Sequence, residues 1–150
     1  MSDSDLRRAL LGTWRLVSCQ QNTDGKLVKP FGDNPQGYLV YTPDGHVVVQ
    51  WAAREHPKLF AASARGTVLL ETTEANTAVG LFGYCGTFEV RDGQVVHHIE
   101  FGILLEMSGQ SSPRTVVLDG DRLILGTPRG AQIEWQRVQY FSSDCDQISL

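Results

Sequence analysis

The sequence predicts an all-β fold: a closed antiparallel barrel of eight to ten strands, with one short helix near residues 71–82. Three observations carry this expectation. Short segments rich in Val, Ile, Leu, Thr and aromatic residues recur along most of the chain. Asp-Gly dipeptides interrupt them at 24–25, 44–45, 92–93 and 119–120, and each supplies the positive-φ positions that a tight hairpin requires. Nine such segments in 150 residues fit a barrel or sandwich.

In chain order, residues 1–9 read as an N-terminal lead-in and residues 10–139 as the barrel. Strands are expected at 12–22, 27–30, 36–42, 46–52, 84–91, 94–102, 113–119, 122–127 and 131–139. Between Arg54 and Gly83 the alternation fails. There Pro57 marks a loop, and Ala75, Ala78, Val79 and Phe82 recur at helical spacing, with Thr72 or Thr73 as cap and Glu71 and Glu74 near the positive end of the dipole. In a barrel such a helix either lids one mouth or crosses between strands over an apolar face. Residues 140–150 are polar and aperiodic, the mark of a flexible tail.

Composition narrows the function classes. The chain is 41% hydrophobic and 20% charged, which excludes general disorder, and its length is enough to bury a core without disulfide or metal. A net charge of −4 with no basic stripe argues against nucleic acid. The stretch Met1–Leu10 carries two aspartates and two arginines where a secretory signal needs an apolar run, so a cytoplasmic location is expected, with no membrane partner. Cys19, Cys85 and Cys145 are odd in number and widely spaced, and form neither a disulfide framework nor a C-x-x-C site. No cofactor and no metal is expected. His97 and His98 are adjacent on one strand and point to opposite faces, a poor metal pair. The sequence has no Gly-rich phosphate loop and no G-x-S-x-G elbow. Gly109–Pro113 reads as a rim loop in which a serine would have no fixed base.

Hairpin geometry then selects the inner face, because paired residues share a side of the sheet. A two-residue turn at Asp92-Gly93 pairs Phe88 with His97, Gly86 with Ile99 and Tyr84 with Phe101. This puts Tyr84, Gly86, Phe88, Val90, Val95, His97, Ile99 and Phe101 inside, and His98 and Glu100 outside. The turn at Gly120-Asp121 groups Arg114, Val116, Leu118, Leu123 and Leu125, with Arg114 near a rim. A type I turn over Thr42–Gly45 groups Leu39, Tyr41, Val47, Val49 and Trp51.

Gly12-Thr13-Trp14 opens the first strand, and Trp135-Gln136-Arg137 ends the last. With Lys29-Pro-Phe-Gly32, Gly37-Tyr-Leu-Val-Tyr-Thr-Pro-Asp-Gly45, Val96-His-His98 and Leu118-Asp-Gly-Asp-Arg-Leu123, the string resembles the lipocalin-like domain family of short, non-secreted calycin-like barrels, over about residues 10–138. The resemblance implies a barrel with an interior site, closed at one end by Arg137 lying over Trp14. The absence of a stapling disulfide sets the chain apart from the secreted lipocalins.

These residues leave three functional readings open. In the first, Tyr41, Trp51, Tyr84, Phe88 and Phe101 wall a cavity for a small, mostly apolar organic metabolite whose oxygens meet His97, Tyr41 and Arg114. In the second, the barrel is a cofactor-independent isomerase, cyclase or dehydratase of a carbonyl-containing natural product. Its catalytic residues are then His97 as acid or base, Tyr41 or Tyr84 on a developing enolate, and Arg114 stabilising its charge. In the third, the barrel is filled and serves a structural or interaction role. Edges beside Trp51 or the helix leave room for a homodimer.

Overall fold

The computed structural model describes residues 1–54 and 80–139. Helix α1 (Asp3–Leu10) leads into β1 (Gly12–Thr23), β2 (Lys26–Val28), β3 (Gln36–Tyr41), β4 (His46–Ala52), β5 (Leu81–Arg91), β6 (Gln94–Gly102), β7 (Ser111–Asp119), β8 (Arg122–Gly126) and β9 (Ala131–Arg137), with a 3-10 turn at Leu105–Met107. The strands pair in the order β2-β1-β3-β4-β5-β6-β7-β8-β9, and β9 returns to β1. Eight antiparallel strands thus close a barrel, while β2 flanks the far end of β1. No helix among the described residues is long and apolar enough to cross a membrane.

Every expected strand is present within a few residues. The turns set the register as anticipated: Asp92 and Gly93 both take positive φ, and Arg91 pairs with Gln94 and Phe88 with His97. At Thr42–Gly45 the positive φ of Gly45 and the bond from its N–H to the Thr42 carbonyl place Tyr41 opposite Val47, so Leu39, Tyr41, Val47, Val49 and Trp51 are all buried.

Of three further expectations, two are corrected and one lies mostly outside the described residues. First, the chain before the barrel is not a mere lead-in. Ser2 caps α1 by accepting the Asp5 N–H at 3.1 Å, acidic Asp3 and Asp5 lie in the first turn and Arg7 and Arg8 in the last, and Leu6 and Leu10 join the core. Second, the helix expected near 71–82 falls mostly outside the described residues, and Leu81 and Phe82, its last positions, belong to β5. The expected tail, 140–150, also lies outside them.

Third, Phe101 does not line the lumen. A bulge follows the Gly86–Ile99 pair, so Cys85 meets Phe101 and Tyr84 meets Gly102. The extra residue reverses the alternation of β6, and Phe101 emerges 59% exposed. Gly86 makes the bulge possible: a Cβ there would sit 1.9 Å from the His98 carbonyl oxygen. Its lack of a side chain is therefore spent on close backbone approach rather than on lumen space.

Candidate functional site

At the centre of the barrel stands His97, 1% exposed, carried inward on β6 as the hairpin register requires. Tyr41 Oη, from the end of β3, lies 2.7 Å from its Nε2, and Tyr84 Oη, from β5, lies 2.6 Å from its Nδ1. Arg114, on β7, donates from Nη2 to Tyr84 Oη at 3.5 Å. The sequence reasoning placed Arg114 at a rim. It is instead 9% exposed, with its guanidinium extended into the cluster. The four polar side chains proposed from sequence therefore converge.

Burial governs the protonation of this group. Desolvation, with smaller contributions from neighbouring Arg114 and His98, pushes the His97 pKa down to about 3, so the ring is neutral at physiological pH. Burial likewise raises both phenols, although Arg114 pulls each of them back down. A neutral imidazole donates from one nitrogen and accepts at the other. Two tyrosine hydroxyls and one ring N–H supply three hydrogens for two bonds. In either tautomer one phenol hydrogen is left without a partner inside this trio. Because both ring nitrogens are engaged, the groups with capacity toward a guest are the tyrosine hydroxyls and Arg114.

Aromatic rings continue the wall in both directions. Tyr41 packs on Phe88 with centroids 4.6 Å apart. Toward the other end, Tyr84 meets Phe82 edge-on, Phe82 stacks on Trp51 at 4.4 Å, and Trp51 contacts both Phe31 and Trp135. Of these, Phe31, Phe82 and Trp135 were not anticipated as lining residues. The helical spacing predicts Phe82 on a helix, Phe31 sits in a loop with no periodic signal, and Trp135 is marked in the sequence only by its place beside Arg137. Among the described residues, the indole N–H groups of Trp51 and Trp135 are buried without a hydrogen-bond partner. Each unsatisfied buried donor costs about 1–3 kcal/mol.

The opposite end is sealed by α1. Trp14, fully buried, donates its indole N–H to the Leu10 carbonyl at 2.8 Å, and the Arg137 guanidinium lies 4.1 Å over the Trp14 ring. Arg137 also donates to the Leu11 and Ala9 carbonyls, satisfying the C-terminal end of the helix. At the helix start, the Asp3 carboxylate accepts the Asp92 and Gly93 N–H groups at 2.9 Å, while Arg7 donates to the Pro43 carbonyl. The helix is thereby tied across the hairpin turns of this end. The closure proposed from Trp14 and Arg137 is present, and α1 is a part of it that the sequence reasoning missed.

Other chemistry-bearing groups lie elsewhere. Ser111 starts β7 instead of sitting in a loop, and its hydroxyl does meet a base: His98 Nδ1 is 2.7 Å away, with His98 Nε2 3.3 Å from Glu89. All three belong to the solvent side of the wall. A groove of about 420 Å³ on the outer face of β3 and β4, lined by Tyr38, Val40, Val48 and Gln50 among others, carries no charged side chain. Burial raises the Cys19 thiol to about 11, which keeps it protonated.

Among solved structures, the chain is similar to the lipoprotein YedD of Klebsiella pneumoniae, at 12% identity over 91% of this chain and 78% of that one, with a TM-score of 0.41. It is also similar to a protein of Bacteroides eggerthii at 10% identity, covering 86% and 99% of the two chains with a TM-score of 0.47. A redesigned β-barrel matches at 14% identity over 89% and 95%, with a TM-score of 0.42. No curated protein matches the chain. The family model described as a lipocalin-like domain matches residues 11–139, from the end of α1 to just past β9, and the chain belongs to that family.

Proposed function

We propose that this barrel binds a small organic molecule, mostly apolar in body, whose oxygen atoms reach Tyr41, Tyr84 and Arg114. The observation that carries the reading is the buried Tyr41–His97–Tyr84–Arg114 cluster, together with two indole N–H groups that have no partner among the described residues. A barrel interior that served only as packing would gain by replacing these polar groups with aliphatic ones. Aromatic walls with a few convergent polar groups are the usual make-up of a small-molecule site. Titration with apolar carbonyl compounds, followed by indole emission, tests this: saturable quenching is expected, and it should weaken in Trp51→Phe. A panel of such compounds that neither quenches nor is retained on equilibrium dialysis refutes the reading.

A second reading, a cofactor-free isomerase, cyclase or dehydratase, is favoured by one observation: both nitrogens of His97 are bonded to phenol oxygens. Such a chain can shift protons without ever forming an imidazolium. One tyrosine oxygen takes a proton from the substrate as its own moves to His97, the opposite ring N–H passes to the second tyrosine, and that hydroxyl returns a proton to the substrate. The bookkeeping closes as an isomerisation with no co-reactant. His97→Gln separates the two readings. Loss of turnover with binding retained supports catalysis, and weakened binding with no turnover in the native protein supports a carrier.

A further inference from the structure

We propose that the guest is an organic monoanion with its charge on oxygen, a carboxylate or the enolate of a dicarbonyl compound, held head-first against Arg114 and Tyr84. The inference rests on the binding reading above and adds the charge and polarity of the ligand.

It follows from what the interior has left to offer. His97 and Arg114 are the buried polar side chains outside the aromatic residues among the described residues, and His97 is neutral with both nitrogens engaged. Arg114 therefore brings a single positive charge into the lumen, and among the described residues no carboxylate lies within ion-pair distance of it. Among the described residues its one hydrogen bond goes to a phenol oxygen at 3.5 Å, which leaves most of its five N–H donors without a partner there. The other unspent capacity is of the same kind: the Trp51 and Trp135 indole N–H groups and one phenol hydrogen. Among the described residues the buried capacity is thus one cation and several unspent donors. Its chemical complement is an acceptor-rich anion. The guanidinium fork suits two oxygens, and the indoles can meet a further carbonyl or ether oxygen. The stacked Trp51 and Phe82 rings give a flat body its surface.

The test compares 2-naphthoate with 2-acetylnaphthalene by equilibrium dialysis near neutral pH. The two probes share ring, size and carbonyl, and differ in that a methyl group replaces the charged oxygen. The native protein is expected to hold the carboxylate at least about tenfold more tightly. Arg114→Met should erase that preference by weakening naphthoate alone, and Arg114→Gln, which keeps donors without the charge, should do the same. Equal affinity for both probes overturns the anion inference and leaves the cavity standing. Failure of both probes to bind overturns the cavity reading as well. If Arg114→Met does not fold, Arg114→Gln decides, and a preference surviving in that variant refutes the role assigned to the charge.

Discussion

Replacing His97 by Gln separates the acid sensitivity of the buried imidazole from that of the rest of the protein. In the native barrel the ring resists protonation until about pH 3, against an ordinary value of 6.5 in the unfolded chain. Between those limits the unfolded state carries one more proton than the folded state, so stability rises with pH. The contribution is complete above pH 6.5 and is lost progressively as the pH falls toward 3. The slope in this window is about 1.4 kcal/mol per pH unit, so acidification from the unfolded value to pH ~5 removes about 2 kcal/mol. Glutamine can still donate to one tyrosine and accept from the other, but it does not titrate. Near neutral pH, His97→Gln should be less stable by about 1–3 kcal/mol through poorer hydrogen bonds, and at pH ~5 that gap should have narrowed by about 2 kcal/mol. The depressed carboxyls of Asp5 and Asp44 titrate in both proteins and cancel in the difference. Urea denaturation followed by tryptophan emission across this range measures it. Parallel stability curves for the two proteins would refute the assignment of a neutral, buried His97.

Other substitutions test the framework around the site. Gly86→Ala places a Cβ 1.9 Å from the His98 carbonyl and should cost upwards of about 2 kcal/mol in urea denaturation, since the bulge must open to admit it. Phe101→Ser should leave stability within about 0.5 kcal/mol of the native value, as expected for a solvent-facing position, whereas a loss of about 3–5 kcal/mol would return Phe101 to the core. Arg137→Met removes a cation over Trp14 and donors to two helix carbonyls. It should destabilise by about 2 kcal/mol or more and strip α1 amides of hydrogen-exchange protection, and unchanged protection would show that the helix does not depend on Arg137.

The hairpins were legible because their geometry is local. A two-residue turn at Asp92-Gly93 leaves one pairing, and parity then carries His97 to the inside and His98 to the outside without knowledge of the rest of the molecule. The same logic failed three pairs further on. A bulge inserts one residue whose presence depends on how β6 and β5 meet, and Gly86 is the lone sequence mark of it. The N-terminal helix carries local signals of its own: Ser2 three residues before Asp5, acids before bases, and Leu6 and Leu10 one turn apart. Phe82 was hidden by a helical spacing that straddles a strand start. The unpaired indoles were not legible at all, because whether a buried N–H finds an acceptor depends on the arrangement of several strands at once.

The neutrality of His97 and the isolation of Arg114 belong to the same constraint. A lumen of this dielectric tolerates one uncompensated cation at considerable cost, and a second, an imidazolium on the far side of Tyr84, would add like-charge repulsion to a second desolvation penalty. Protonation would also turn both ring nitrogens into donors to the phenol oxygens, leaving both phenol hydrogens, instead of one, without a partner inside the trio. The tyrosines consequently act as insulators as well as ligands: each fixes a ring nitrogen, and Tyr84 takes an Arg114 N–H that would otherwise have no partner within the cluster. An anion seated on Arg114 relaxes this constraint, because it cancels the charge that opposes protonation of His97. Anion affinity and the protonation of His97 must then rise together as pH falls, since each favours the other by the same free energy.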